Sequence, residues 1–278
     1  MTDAAGSWSA SFGAAPAEAM AVYEDVFVPR LFVPHAQVLL DELQVQPGER
    51  VLDVACGPGT VALLAAARVG PQGRVTACDI SPAMLDIARA KAGADAVEWV
   101  ETPAAPLAGI AEESYDVATC QQGLQFFPDR LGALAEMRRA LAPGGRAGVA
   151  TWTAIEESPA FAALAAAIAG VLGAELAARY RGRPWGLHEA DELAGLLRQA
   201  GFADVSVVQR TTTGLFEGGA GQLVRTLAAA AVAPEVAALG EEGYARLVAA
   251  AARHMEPLTD PAGVTASFTT NIAFGTRP

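Results

Sequence analysis

Apolar and polar positions alternate along the first half of the chain in a regular rhythm. The apolar run Val51–Val54 gives way to Gly57 and Gly59, and Thr60 to Val69 then reads as an alanine- and leucine-rich helix. Further strands read at Val75–Cys78, Ala96–Val100 and Tyr115–Cys120. A helix runs from its cap at Asp129 to Leu141, and Gly144-Gly145 leads into a fifth strand that Trp152 closes. Ahead of this block, Pro16 to Leu43 is helical in pattern, with Tyr23, Phe27, Leu31 and Phe32 at three- and four-residue spacing, and Pro47-Gly48 turns the chain into the first strand. Residues 1–15 are small and polar. After Trp152 the rhythm stops. Ser158 to Ala178 reads as an alanine-rich helix or helix pair, and Glu189 to Ala200 as a helix ended by Gly201. Val205 to Thr213 has strand composition. A helical stretch from Gly218-Gly219 to Met255 is broken near Pro234 and Gly240, and a last strand runs from about Val264 to Gly275.

Composition narrows the class. With 278 residues, 52% of them hydrophobic, the chain can bury a sizeable core. A net charge of -12 argues against a nucleic-acid footprint, which needs clustered Lys and Arg. Lys91 is the one lysine and sits on an expected surface helix, so Schiff-base chemistry has no good candidate. Cys56, Cys78 and Cys120 form no disulfide framework. They read as small residues at strand ends, or as a thiol cluster for a soft metal; without C-x-x-C spacing the first reading is preferred and no metal site is expected. Met1 to Gly13 lacks a positive, apolar leader, and Phe161 to Leu172 is too short to span a bilayer, so a cytoplasmic protein is expected.

Chemistry concentrates at the glycine turn after Val54. A P-loop would end in Gly-Lys-Ser/Thr, and no lysine is present. Gly57, Gly59 and Ala62 fit dinucleotide spacing, but Asp53 just before them would repel a pyrophosphate and suits a ligand with a cationic amino-acid end. An acid at the tip of the second strand, Asp79, about twenty residues past the glycines, suits a ribose diol. The other reading of Asp79 is a helix cap, a task that Ser81-Pro82 already performs.

The segments Val51–Thr60, Val75–Leu85, Tyr115–Phe127 and Leu141–Arg146, in this order, resemble the motifs of class I S-adenosylmethionine-dependent methyltransferases, closest to the small-molecule branch with the quinone-biosynthesis enzymes. The resemblance implies an α/β, Rossmann-like seven-stranded sheet, mostly parallel with an antiparallel last strand, helices on both faces and a helical cap from insertions. It implies one domain over 1–278: an N-terminal helical arm at 16–46, a cofactor-binding core at 47–152, cap helices at 153–200 and 216–257, and the last two strands at 202–213 and 264–276. S-adenosylmethionine is the implied cofactor and S-adenosylhomocysteine its product. The implied cofactor-binding residues are Asp53, Ala55, Cys56, Gly57, Gly59, Asp79, Ile80, Met84, Thr102, Pro103, Ala104 and Gln121. Pro103 departs from the family pattern. It stands where an Asp usually receives the adenine amino group, so Thr102, Glu101 or main chain must replace that contact.

The implied substrate pocket holds Tyr23, Phe32, Gln122, Gln125, Phe126 and Trp152. For the arm, edge packing is the alternative to folding over the cofactor; for Phe126 and Phe127, ordinary core is the alternative to a pocket wall. The run Arg179-Tyr180-Arg181-Gly182-Arg183 reads as a solvated loop or as an anion site. Among His35, His188 and His254, His188 is the candidate base, needed only if the acceptor must lose a proton. The expected activity is methyl transfer to a small, largely apolar metabolite, possible in a monomer or a homodimer, with no nucleic-acid or membrane partner. The alternative keeps the fold for a cyclase or binding protein in which the cofactor is structural. A nicotinamide oxidoreductase is disfavoured by Asp53 and by the lack of a Tyr-x-x-x-Lys pair.

Overall fold

The computed structural model describes residues 17–278; the small polar residues 1–15 and the expected helix start at Pro16 lie outside them. The chain begins with α1 (Ala17–Val22), a π-helical segment (Tyr23–Phe32) and α2 (Val33–Glu42). The core alternates β1 (Arg50–Val54), α3 (Thr60–Val69), β2 (Arg74–Asp79), α4 (Pro82–Arg89), β3 (Val97–Glu101), β4 (Tyr115–Gln121), α5 (Arg130–Ala140) and β5 (Leu141–Trp152). Then come α6 (Pro159–Leu172), α7 (Ala174–Arg181), α8 (Ala190–Gln199), β6 (Ala203–Phe216), α9 (Gly219–Arg225), α10 (Ala233–Ala237), α11 (Gly240–His254), β7 (Thr259–Asp260) and β8 (Gly263–Thr276). No described helix is long and apolar enough to cross a membrane.

The sheet runs β3-β2-β1-β4-β5-β8-β6, with β7 paired to β8 off this path. β1 to β5 are mutually parallel, and β8 is antiparallel to both β5 and β6. The seven expected strands are present, and the two-residue β7 adds an eighth. β1 lies between β2 and β4, so the chain winds away from it in both directions and leaves a crevice at the strand tips.

Period-two alternation sorts the parallel strands between two cores. Val51, Val75, Ala77 and Val117 face Leu39, Leu40 and Ala65 from α2 and α3. Leu52, Val54, Cys78, Ala118 and Cys120 face the other way, against Leu134 and Met137 of α5 and Leu193 and Leu197 of α8. Cys78 and Cys120 are therefore core residues. Burial pushes the Cys120 thiol up to about 12, and among the described residues no group of His, Cys, Asp and Glu side chains is placed to hold a metal ion. Residues 190–199, expected in the cap, instead cover the sheet, because the apolar stripe of α8 completes this second core.

A third core builds the cap. β6 and β8 are 14 residues long each and outrun the parallel strands. Their extensions place Phe216, Val264, Ala266 and Phe268 against Phe161 and Leu164 of α6, Leu223 of α9 and Leu247 of α11. The arm also differs from the continuous α-helix its spacing suggested. Tyr23–Phe32 is π-helical, and the wider turn brings Phe27 edge-on to Phe32, five residues apart, at 6.4 Å between ring centres.

Phe268 anchors the cap to the sheet. It is fully buried, with ring centres 4.9 Å from Phe161 and 6.2 Å from Phe216. Phe268→Ala should lower stability by about 3–5 kcal/mol in urea titration. An unchanged midpoint would mean the cap does not depend on β8.

Candidate functional site

The strand tips, the arm and the cap enclose a cavity of about 570 Å³, in the range of small-molecule sites. Its floor is the turn after β1. Ala55, Gly57 and Gly59 have φ of +56°, +52° and +82°. For Ala55 this left-handed backbone costs on the order of 1 kcal/mol relative to glycine. A Cβ added at Gly57 would project into open space, so the backbone there is bare toward the cavity. Gly59, expected to touch the cofactor, does not line the cavity: a Cβ on it would come within 2.6 Å of the Trp99 ring. This glycine serves the packing of α3 against β3.

Asp79 ends β2 beside that turn. One carboxylate oxygen accepts from Gly57 N–H at 2.8 Å and the other from Ser81 N–H at 2.9 Å. Burial raises its pKa, and these amides pull the other way. Each oxygen keeps a second lone pair. Ser81 is the N-cap of α4, accepting from Met84 N–H, as its sequence suggested. Ile80, next to Asp79, is 53% exposed and lines the cavity with Met84.

Asp53 lies deeper, on the face shared with Thr119, its partner in register across β1 and β4. The Thr119 hydroxyl donates to Oδ1 at 2.8 Å, and Oδ2 is buried without a hydrogen-bond partner among the described residues. Burial, partly offset by the Thr119 hydroxyl, pushes Asp53 up to about 7. A cation brought beside it would favour its ionised form and so make it a counter-ion.

The turn after β4 supplies the facing wall. Gln121 donates to the Phe32 carbonyl at 3.1 Å and leaves Oε1 buried without a partner among the described residues. Gln122, at φ +56°, donates to Thr270 Oγ1 at 3.0 Å. Gln125 is a correction: it is buried outside the cavity and donates to Gln122 Oε1 at 3.0 Å, so it supports the wall from behind. Phe126, Phe127 and Trp152 all line the cavity. Beyond β3, Thr102, Pro103 and Ala104 line it too. The Thr102 hydroxyl is held in its own loop, accepting from Ala108 N–H at 3.0 Å. Cys56 is buried at the cavity wall.

The arm closes the cavity with Tyr23, Phe27, Leu31 and Phe32. Lys91, expected on the surface, ties it down: Nζ donates to the Pro58 carbonyl at 2.8 Å and pairs with Glu24 at 2.7 Å. His188, the candidate base, is displaced from the site. Its side chain is 43% exposed, outside the cavity, with Nδ1 2.8 Å from the Trp185 carbonyl and Nε2 3.1 Å from Glu189. The chain bends at Trp185 so that the indole, not the imidazole, turns inward. His35 is buried, with Nε2 3.0 Å from Thr212 Oγ1, and burial pushes it down to about 4.

Sequence reasoning missed the cap's contribution: Tyr180, Trp185, Leu227 and Ala230 line the cavity as well. Tyr180 within the basic run and Trp185 just after it were the available signal. Its Arg179 and Arg181 pair outward with Glu235 and Glu156.

Residues 51–145 match the family described as a methyltransferase domain. The chain is 34% identical over 182 residues to the demethylmenaquinone methyltransferase of Geobacillus kaustophilus, covering 61% of this chain and 77% of that protein. It is 38% identical over 108 residues to the 2-phytyl-1,4-naphtoquinone methyltransferase of Synechococcus elongatus, covering 37% of this chain and 46% of that protein. A solved methyltransferase from Aquifex aeolicus, dependent on S-adenosylmethionine, has a TM-score of 0.51 at 20% identity over 70% of this chain and 91% of that one, a likeness of fold. The chain spans about half the length, or less, of several relatives it matches.

The raised pKa of Asp53 has a measurable sign. The folded, ligand-free protein holds this proton up to about pH 7, whereas an unfolded Asp releases it near pH 4. Ionised Asp53 therefore costs stability as pH rises between those values, on the order of 4 kcal/mol when complete. Asp53→Asn, which still accepts from Thr119, should melt higher than the unsubstituted protein at pH 8, with the two curves converging only below about pH 4. Equal melting temperatures at pH 8 would mean that Asp53 is not desolvated.

Proposed function

The chain belongs to the S-adenosylmethionine-dependent methyltransferases, and we propose that it transfers a methyl group to a small, largely apolar metabolite by in-line displacement. The observation that carries this reading is the Asp79 carboxylate, held at the tip of β2 and lining the same cavity as the bare backbone of Gly57 and the exposed Ile80. A carboxylate, a side-chain-free turn and an apolar plate suit a ribose diol, a close-lying chain and an adenine face in turn.

The residues fit this cofactor. The second lone pairs of Asp79 are available to two ribose hydroxyls. Ile80 and Met84 would flank the adenine. The main chain at Pro103 and Ala104 would take its edge, because the Thr102 hydroxyl is engaged within its own loop. Asp53 Oδ2, without a partner among the described residues, suits the ammonium group, and Gln121 Oε1, likewise without one, would face the methionine end. Bound S-adenosylmethionine supplies an electrophilic methyl on a sulfonium whose departure as a neutral thioether needs no protein acid.

The protein's own part is then orientation and exclusion of water. Tyr23 and Phe32, held by the Lys91–Glu24 ion pair, close the methionine end. Gln121 and Gln122 are neutral amides and orient an acceptor without moving a proton. The aromatic walls favour an apolar acceptor, and the quinone methyltransferases named above act on acceptors of that kind by their names.

Calorimetric titration with S-adenosylmethionine and S-adenosylhomocysteine tests the site, and a gain of one methyl mass on an acceptor tests the reaction. Asp79→Ala should weaken binding of both by about 100-fold or more, the worth of two hydrogen bonds to a charged group. Unchanged affinity would remove Asp79 from the ribose role. Cofactor binding without methyl gain by any acceptor would favour a non-transferring use of the fold.

A further inference from the structure

The cap end of the cavity holds two polar groups that no described residue satisfies. Tyr180 of α7 and Trp185, in the turn that follows, both line the cavity and are 5% and 7% exposed. Their ring centres are 5.5 Å apart, inclined at 54°. Trp185 Nε1–H is buried with no hydrogen-bond partner among the described residues. The Tyr180 hydroxyl also makes no hydrogen bond to a described residue. Buried Tyr and Trp side chains ordinarily find such partners, so a pair without them is an open specification.

The neighbouring polar groups are engaged elsewhere. Thr226 Oγ1 donates to the Leu223 carbonyl at 2.5 Å. Gln122 Nε2 donates to Thr270, and its Oε1 accepts from Gln125. The Tyr180–Trp185 pair is continuous with the methyl-transfer end through a file of rings: Trp185 to Phe161 at 5.5 Å, Phe161 to Trp152 at 6.3 Å, Trp152 to Phe32 at 6.3 Å and Phe32 to Tyr23 at 5.2 Å. An acceptor reaching from Tyr23 toward Tyr180 therefore passes a file of aromatic rings and meets the Tyr180 and Trp185 donors at the cap.

We propose that Tyr180 O–H and Trp185 N–H are the specificity-determining donors of the acceptor site, selecting planar apolar acceptors that carry a hydrogen-bond-accepting oxygen, such as a ring carbonyl, over hydrocarbons of the same shape. The proposal rests on the methyl-transfer reading above and deepens it. Trp185 N–H is buried, so an acceptor lacking the oxygen leaves it unsatisfied, whereas one bearing the oxygen pairs it and offers the Tyr180 hydroxyl an acceptor as well.

The test uses the full chain saturated with S-adenosylhomocysteine and two probes of one shape, α-tetralone and tetralin, titrated by calorimetry. The ketone should bind about tenfold tighter or more. Tyr180→Phe and, separately, Trp185→Phe should each cut that preference at least threefold by weakening the ketone and not the hydrocarbon. A merely structural role would weaken both probes alike. Tyr180→Phe keeps the ring, and an unchanged melting temperature reports its fold. Equal affinity for the two probes, absence of ketone binding, or a preference that survives both substitutions overturns the proposal while leaving the methyl-transfer reading intact. Failure of S-adenosylhomocysteine itself to bind overturns both.

Discussion

A hydrogen bond of 2.8 Å from Gly57 N–H to the Asp79 carboxylate ties the tip of β1 to the tip of β2, and the site is assembled around it. Without a side chain at Gly57, the backbone amide can reach the acid and still leave its other side bare. Without the acid, the left-handed turn at Ala55, Gly57 and Gly59 would have one fewer partner to hold it. A second tie, Cys56 N–H to the Cys78 carbonyl at 2.9 Å, extends the β1–β2 pairing into the turn. The loop after β4 fits equally close, since a Cβ on Gly123 would come within 2.9 Å of the Ala55 Cβ. Three loops thus meet where the sheet changes winding direction, which is where open α/β sheets present their ligand crevice.

What surrounds that floor is apolar and comes from distant parts of the chain. The arm arrives first in sequence and is pinned by Lys91 and Glu24. The cap arrives last, carried on the long strands β6 and β8, whose upper halves have no parallel strand beside them and so bury their inner faces on helices instead. A cavity closed by these two elements keeps one charged floor and aromatic walls. In such a setting the buried acid Asp53 stays protonated more readily than in water, and each donor without a partner becomes selective for whatever can pair with it.

Much of this was legible in the residues. Alternation of apolar positions located the five parallel strands, and the glycine turn, Asp79, Ile80, Met84 and Gln121 all reach the cavity, because their places follow from local order along strand, turn and helix. The losses came where a side chain's direction depended on something outside its own segment. Gly59 shared its loop with Gly57 but turns to Trp99. Gln125 stood two residues from Gly123 but faces backwards to Gln122. His188 was attractive by chemistry, yet the bend that exposes it turns Trp185 inward.

The sequence by itself determined the element order, the position of the glycine turn and the acid at the second strand tip, since periodicity and turn chemistry act over a few residues and need no partner. Tertiary structure alone decided which aromatic rings meet, that the single lysine clamps the arm, that α8 covers the sheet and that Tyr180 and Trp185 share the cavity with Asp79. Those outcomes join residues more than a hundred positions apart, and they were settled by which apolar surfaces remained to be buried once the sheet had formed.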